Sequence, residues 1–162
     1  MARYHMRRAD REIKDPDELL RLIENGVYVT IALCRNDNPY LVTVNYSFDR
    51  SKRCLYFHAA REGLKMDFIK SNPRVWCQVL EDMGYVAGEC EWDYRTVHIS
   101  GSARIVDDMT EKRHALDLMI DKLEDHPEAV KKKHIDQANL EKVRVCRIDI
   151  AEMYGKESKR KH

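Results

Sequence analysis

The chain has 162 residues, of which 43% are hydrophobic and 35% are charged, a balance typical of a folded domain and not of a disordered chain. Its 29 basic and 28 acidic residues leave a net charge of +1, which provides no electrostatic basis for binding nucleic acid. The longest mainly apolar stretch, Val27–Cys34, is far shorter than the roughly 20 residues that cross a bilayer. Residues 1–12 carry charge without an apolar signal segment. We expect a cytoplasmic protein that binds neither nucleic acid nor membrane.

We expect one domain over residues 1–162, with an N-terminal arm at 1–14 and a basic C-terminal tail at 156–162, because no repeat or linker divides the chain. The five cysteines are odd in number and widely spaced, which favours reduced thiols and no zinc site. Three histidines also lack the spacing of metal ligands, and we expect them to be solvated: His114, His126 and His134.

A capping pattern predicts the first helix. Asp15 can serve as its N-cap, Pro16 suits the first helical position, and Glu18 completes a capping box. The apolar residues that follow recur at helical spacing: Leu19, Leu20, Leu22 and Ile23. We expect this helix to end at Asn25, with Gly26 in the left-handed conformation that commonly follows a helix.

After the first helix the chain changes to β-rich runs separated by turn residues. The runs are Val27–Cys34, Tyr40–Phe48, Cys54–Ala59, Arg74–Leu80 and Arg95–Val106. The last run alternates most regularly, with Val97, Ile99, Ala103 and Ile105 on its apolar face. The early connections are too short for the crossovers of a parallel sheet. These patterns predict a mainly β protein, an antiparallel and closed or partly closed barrel with flanking helices.

Three elements are predicted after the last of these runs. Thr110 is expected to cap an amphipathic helix over Thr110–Glu124, and a shorter helix follows at Pro127–His134. The last strand is predicted at Val143–Ile150. Its alternation slips near Cys146, which indicates a bulge or an edge position.

The start of a helix predicted over Gly63–Ser71 is the most informative local feature. The residues before it offer no Ser, Thr, Asn or Asp cap, and the cations Arg61 and Lys65 flank its first turn. Cations at this end oppose the helix dipole, and the first N–H groups lack acceptors. A bound phosphate would correct both faults by accepting the N–H groups and pairing with Lys65 and Arg61. The alternative is a solvated helix start with two surface cations.

Five sequence blocks, in order, carry a resemblance to a known family. They are VTVNYSFD at 42–49, LYFHAAREGLK at 55–65, NPRV at 72–75, CEWDYRTVHISGSARIVDD at 90–108 and RIDIAEMYGK at 147–156. Together they resemble the flavin-binding relatives of pyridoxamine 5′-phosphate oxidase, and within that superfamily they are most similar to the Nim-type nitroimidazole-resistance proteins. The segment MRRADREI at 6–13 is also similar to the start of that family, so the resemblance covers nearly the whole chain.

The resemblance implies an antiparallel, Greek-key-like FMN-binding split β-barrel. It also implies a homodimer with FMN in a groove at the subunit interface, each site drawing on both chains. Lys65 matches the phosphate-binding lysine of the family. The other positions that match its flavin contacts are Thr43, Val44, Asn45, Tyr46, His58, Ala59, Arg95 and Thr96.

The resemblance further implies a catalytic role for His58, because the matching histidine of the Nim-type proteins faces the flavin and is the proposed participant in reduction. A histidine at this strand end can equally be a packed, hydrogen-bonded structural residue. Trp92 and Tyr94, beside Arg95, leave a similar choice between a cofactor site and a subunit interface.

The function implied by the resemblance is an FMN-dependent reductase of a small electron-poor acceptor, such as the nitro group of a nitroimidazole, with NAD(P)H as a candidate electron donor. The flavin would carry the redox chemistry, while the protein supplies orientation and charge. Oxidation of pyridoxamine phosphate is disfavoured, because position 46 is Tyr and no counterpart of the oxidase's arginine-bearing C-terminal segment is present. Two alternatives stay open: a non-catalytic flavin-binding, storage or stress-response module, and a relative that binds haem or a deazaflavin in the same groove.

Overall fold

The alternating runs form an antiparallel sheet flanked by helices, as predicted. A computed structural model describes residues 6–158. The strands are β1 (Glu12–Ile13), β2 (Tyr28–Arg35), β3 (Asn38–Asn45), β4 (Ser47–Asp49), β5 (Cys54–Ala59), β6 (Arg74–Val86), β7 (Glu91–Val106) and β8 (Arg144–Ser158). The helices are α1 (Pro16–Asn25), α2 (Leu64–Ser71), α3 (Met109–Leu123), α4 (Pro127–His134) and α5 (Gln137–Lys142), preceded by a 3₁₀ turn at Ala9–Arg11.

The strands form one sheet in the order β3-β2-β6-β7-β8-β5-β4, and β1 pairs with β8. Its two ends, β3 and β4, are consecutive in the chain but pair with different neighbours, β3 with β2 and β4 with β5. The predicted strand Tyr40–Phe48 is therefore two strands, which separate at Tyr46. Within residues 6–158, β3 approaches β5 without pairing with it, so the barrel is split and not closed.

The sheet buries apolar side chains on both of its faces. The main core lies on the face covered by α1 and α2 and includes Ile23, Phe57 and Cys146. On the opposite face, α3 packs over a second cluster that includes Tyr56 and Val145. Adjacent residues of β5 and β8 are therefore both buried, each against a different layer.

This two-sided burial explains why the bulge predicted near Cys146 is wrong. Val145 and Cys146 are both fully buried, and the strand stays in register with β7 through this point. Strand β8 also lies between β7 and β5 and is not an edge. The irregularity occurs later, where Ala151 has no partner opposite Ser100 and Gly101.

Helix α1 begins as predicted, because the Asp15 carboxylate accepts a hydrogen bond from the Asp17 N–H at 2.9 Å. The expected left-handed Gly26 is wrong: its φ is −64° and ψ is 137°, an extended conformation. Glycine is needed at this position because neighbouring side chains leave no room for a Cβ atom. A Cβ at Gly26 would lie 2.5 Å from Val79 Cγ1 and 2.7 Å from Tyr46 Oη.

The helical segment after β7 differs from the prediction in two respects. Asp108, and not Thr110, caps α3, since its carboxylate accepts a hydrogen bond from the Glu111 N–H at 2.7 Å. Helix α4 has the predicted bounds. Helix α5 was not predicted, because a helix of six residues is too short to establish an apolar period.

Some residues predicted to form the N-terminal arm and the C-terminal tail are paired with the sheet. Of the N-terminal arm, residues 1–5 lie outside the described residues, whereas Glu12 and Ile13 form β1 against Lys156 and Gly155. The assignment of residues 156–158 to a tail is wrong, because they pair with β7 as the last part of β8. Residues 159–162 lie outside the described range. No helix between residues 6 and 158 has the length and apolar character needed to span a bilayer.

Candidate functional site

The first turn of α2 is the candidate anion site, and its lack of a side-chain cap is confirmed. Gly63 is the N-cap with φ of 134°, a conformation that glycine adopts readily and other residues rarely do. A Cβ built on Gly63 would meet nothing within 4 Å. The Met66 and Asp67 N–H groups bond to the Gly63 carbonyl. The N–H groups before them are therefore the ones open to an external acceptor.

Lys65 lies beside this helix start and has no ion-pair partner within residues 6–158. Its Nζ lies 5.6 Å from the centroid of the Phe57 ring, and its charge also acts on the neighbouring Cys146. Burial raises the pKa of the Cys146 thiol to about 11, while Lys65 and Arg144 act to lower it. The uncapped turn and this cation fit a phosphate group, which would satisfy both.

Arg61 does not join Lys65 at this site. Its guanidinium donates from Nε to the Lys142 carbonyl at 3.3 Å and from Nη2 to the Glu141 carbonyl. These carbonyls lie at the C-terminal end of α5. A cation there satisfies unpaired carbonyl acceptors and interacts favourably with the negative end of the helix dipole. In this structure Arg61 is therefore directed to the end of α5 and does not lie beside Lys65 as expected. The sequence did not indicate this contact, because α5 was not predicted.

Three of the predicted flavin contacts lie on β3, where side chains alternate between two faces, and the fourth, Tyr46, directly follows the strand. Thr43 lies on the outer face with its Oγ1 3.0 Å from Thr30 Oγ1, and Asn45 shares that face by strand periodicity. Val44 packs against the main core. Tyr46 is fully buried, and its hydroxyl donates to a backbone carbonyl of α1. Only Thr43 and Asn45 offer polar side chains to a ligand, while Val44 and Tyr46 offer backbone atoms.

The side chains of Arg95 and Thr96 are already engaged within their own protomer. The Arg95 guanidinium binds Glu81 and lies 3.3 Å from Glu18 Oε1, and these carboxylates raise its pKa. Thr96 is buried and its Oγ1 donates to the Val79 carbonyl at 2.9 Å. Neither side chain is free to act as an anion ligand in this arrangement.

Arg95 also lies far from Lys65 along the sheet. The charge of Lys65 acts on the nearby Cys146 thiol, so Cys146 marks the position of Lys65 on the sheet. Cys146 pairs with Ile105 of β7. The ten residues from Arg95 to Ile105 span about 33 Å of extended strand. The structure therefore does not bring Arg95 and Lys65 of one chain to a single small ligand.

His58 and Lys65 are separated by β5 itself. The Phe57 ring, which Lys65 overlies, belongs to the main core, and adjacent residues of a strand point to opposite faces. His58 accordingly faces the side of the sheet covered by α3, whereas Ala59 is buried in the main core. A cavity of about 570 Å³ lies beside His58, walled by α3, α4, α5 and the start of β8.

Sequence reasoning missed a polar cluster under α3. The Glu111 carboxylate accepts hydrogen bonds from Tyr56 Oη and Arg147 Nη1, both at 2.8 Å, and from Arg104 Nη2 at 3.1 Å. Burial alone would raise the pKa of Glu111, but these three donors outweigh it and lower the pKa to about 2. The cluster draws on residues more than 30 positions apart, so no local pattern could have indicated it.

The prediction that His114 is solvated is only partly right, because its side chain is 42% exposed but also contacts a buried carboxylate. Its Nε2 lies 2.7 Å from Asp49 Oδ2, and the Asp49 side chain is buried. Burial would raise the pKa of Asp49, yet hydrogen bonds from Ser51 and His114 lower it to about 2. No group of three His, Cys, Asp or Glu side chains between residues 6 and 158 has the arrangement of a metal site.

The split antiparallel sheet with helices over both faces defines the class of fold as the split barrel of pyridoxamine 5′-phosphate oxidase-like proteins. The sequence model of the family described as Pyridoxamine 5′-phosphate oxidase matches residues 15–157. The chain therefore belongs to this family, as its sequence blocks indicated. Membership describes ancestry and fold, and does not itself assign the oxidase reaction.

Three solved structures show the same fold. A Bacteroides thetaiotaomicron VPI-5482 protein proposed to act in 5-nitroimidazole antibiotic resistance is 24% identical, with a TM-score of 0.71 over 90% of this chain and 86% of that one. The flavocytochrome Anf3 of Azotobacter vinelandii is 15% identical, with a TM-score of 0.79 over 97% and 73%. An FAD-binding protein of Mesorhizobium loti is 20% identical, with a TM-score of 0.68 over 92% and 98%.

Among curated proteins, an uncharacterized protein of Rhizobium meliloti (strain 1021) is 29% identical over 65 residues. The match spans 40% of this chain and 41% of that protein. It supports a partial relationship and carries no functional assignment.

Proposed function

We propose that this protein is an FMN-dependent oxidoreductase that reduces a small electron-poor acceptor, with the nitro group of a nitroimidazole as the model substrate. The observation that carries the proposal is the Lys65 ammonium, which has no ion-pair partner between residues 6 and 158 and lies beside the uncapped first turn of α2. In a family whose fold is shared with flavin-binding proteins, a phosphate is the group that this arrangement fits.

Lys65 and the first N–H groups of α2 would hold the FMN phosphate. Thr43 and Asn45 would lie along the isoalloxazine with their side chains, while Val44, Tyr46 and Ala59 would contribute backbone atoms. When bound, FMN supplies the electrons of the reaction, and the chain supplies orientation and charge. NAD(P)H is the proposed source of those electrons.

The distance between Arg95 and Lys65 favours a homodimer in which each flavin site draws on both chains. In that arrangement Arg95 and Thr96 of one protomer would approach the flavin held by the other. The outer face of β2, β3 and β6 supports such pairing, because Tyr28, Leu41 and Leu80 on it are 60%, 66% and 53% exposed. Apolar residues clustered on a sheet face mark a docking surface more often than isolated ones do.

His58 is the proposed contact of the acceptor and a proton donor through its imidazole N–H. The similarity to the nitroimidazole-resistance protein supports this assignment. One observation favours the alternative of a non-catalytic flavin-binding or storage module: His58 and Lys65 point to opposite faces of β5. In that alternative the flavin would be retained and would not turn over with a nitro compound.

The absorption spectrum of the purified protein tests flavin binding. We expect oxidised-flavin bands and release of FMN, identified by mass, on denaturation. Lys65→Gln should reduce the flavin content per chain about tenfold, because it removes the charge that pairs with phosphate. Lys70→Gln is the matched control, since Lys70 is exposed in the last turn of the same helix, and Arg61→Gln should also retain flavin.

A colourless protein that does not take up added FMN would refute both flavin hypotheses. If Lys65→Gln retains flavin as well as Lys70→Gln does, the phosphate assignment is wrong. Turnover separates reductase from storage module: bleaching by NAD(P)H and recovery with a nitroimidazole support the reductase. Loss of that recovery in His58→Gln, with flavin content unchanged, would support the proton-donor role.

A further inference from the structure

The cavity beside His58 lies on the opposite side of β5 from the proposed phosphate site. Its volume of about 570 Å³ is within the range of roughly 300–1,000 Å³ that is typical of small-molecule sites. One wall is the apolar stripe of α3, formed by Leu116, Met119, Ile120 and Leu123. Helices usually bury such a stripe against a core. Here Met119 is buried and Leu116 packs against the second cluster, while Leu123 is 43% exposed, and all four side chains border the cavity.

Contacts between α3 and α4 show which lining residues lie near the start of α3 and which lie near its end. Near the end of α3, Lys131 of α4 pairs with Asp121 at 2.6 Å. Nearer its start, Arg113 donates to the Ile135 carbonyl at 3.4 Å, just after α4. Helix α4 therefore runs antiparallel to α3, and His134 lies beside the first half of α3.

Lys142 and His58 lie toward the same end. Lys112 of α3 donates to the Leu140 carbonyl at 3.1 Å, which places the last turn of α5, including Lys142, beside the start of α3. Strand β5 meets this region too, because Tyr56 bonds Glu111 and His58 follows two residues later on the same face.

The acidic side chain of the cavity is at the other end. Glu124 follows the last residue of α3 and is eight residues beyond Leu116, about 12 Å along the helix axis. The cavity therefore has an apolar middle, with one carboxylate at one end and the side chains of His58, His134 and Lys142 at the other. Asn139 also lines it, and its amide donates to Asp136. Within the described part of the chain, the side chains of His58, His134 and Lys142 form no ion pair and no hydrogen bond, although the Lys142 carbonyl accepts from Arg61.

We propose that this cavity binds a small organic acid with an aromatic or branched aliphatic body. The apolar body would lie against the α3 stripe, and the carboxylate would pair with the Lys142 ammonium and accept hydrogen bonds from His134 and His58. Apolar walls with a few convergent polar groups are the usual design of such sites, and ionised partners give their strongest hydrogen bonds. The inference shares only His58 with the proposed flavin chemistry and needs no turnover.

Isothermal titration calorimetry of the 162-residue chain as purified tests this inference. The probes are 1-naphthaleneacetate and its neutral analogue 1-naphthaleneacetamide, which share one apolar body and differ in charge. We expect the acid to bind about tenfold more tightly than the amide. Lys142→Gln should remove most of that preference by weakening the acid alone. Lys132→Gln, an exposed lysine of α4 outside the cavity, should leave both affinities unchanged.

A second variant tests the apolar wall. Ile120→Trp should fill the cavity and abolish binding of both probes, with folding checked by circular dichroism. The inference is overturned if neither probe binds the wild type, if both bind equally, or if Lys142→Gln and Lys132→Gln behave alike. Flavin content is measured in the same samples. A colourless protein that does not take up added FMN but prefers the acid refutes the proposed function and supports the acid site. A yellow protein that binds neither probe does the reverse.

Discussion

The Lys122 ammonium lies 3.9 Å from the centroid of the Tyr46 ring and also donates to the Gly26 carbonyl. These contacts join the end of α3 to the residue after α1 and to the junction of β3 and β4. The ring and the carbonyl favour the charged lysine, but burial opposes them and lowers the pKa of Lys122 to about 8. Part of the stability of this junction therefore depends on pH.

We expect the wild type to gain stability relative to Lys122→Met as the pH rises from 8 to about 9.5. The folded pKa is about 8 and the ordinary value is 10.5, so the unfolded chain binds more protons at this lysine in that window, and higher pH favours the fold. Urea denaturation of both proteins measures the difference. The comparison isolates Lys122, because the buried cysteines titrate in both. A difference that stays constant or falls would contradict the prediction.

Glu111→Gln should destabilise the protein by about 2 kcal/mol, because charged hydrogen bonds from two arginines and Tyr56 are lost or weakened. Since the pKa of Glu111 is about 2 in the fold and 4.5 ordinarily, its contribution is present above pH 4.5 and disappears as the pH falls toward 2. Denaturant unfolding at pH 7 and pH 3 should show a smaller gap between wild type and variant at pH 3. Glu62→Gln, an exposed residue, is the control and should be neutral at both values.

Gly26→Ala should destabilise the protein by about 1–3 kcal/mol, which is typical of overpacking a core. The added methyl would lie 2.5 Å from Val79 Cγ1 and 2.7 Å from Tyr46 Oη, and it would disturb the contact between Tyr46 and Lys122. Thermal unfolding compares it with Asn25→Ala at the exposed neighbouring position. Equal midpoints for the two variants would show that the region relaxes without cost.

Leu41→Lys should convert the proposed homodimer to monomers, because it places a charge in the middle of an apolar interface. Leu41 is 66% exposed on the outer face of the sheet, so the substitution leaves the fold of the protomer intact. Sedimentation velocity measures the change, and flavin content should fall with it if Arg95 of a second chain completes the site. Thr110→Lys adds the same charge on α3 and should remain dimeric. A monomeric wild type would refute the proposal.

Several features followed from local sequence alone. The alternation of Arg95–Val106 established a strand, and Val97 and Ile99 of its predicted apolar face are fully buried, although Thr96 and Ser100 of the opposite face are buried as well. Pro127 and the residues after it define α4 with its observed bounds. The absence of a side-chain N-cap before α2 was also predicted from the sequence. Each of these depends on residues within about one turn or one strand, where periodicity and capping act directly.

The site depended on partners that are distant in the sequence. Nothing near Arg61 indicates that it caps α5, which lies about 80 positions later, and nothing near Cys146 indicates that both faces of β8 are covered. The sequence placed His58 and Lys65 seven positions apart on one motif, and it indicated that one lies at a strand end and the other in the first turn of a helix. Only the tertiary structure decided that β5 separates them, because strand periodicity assigns a side chain to a face but does not say what packs against that face.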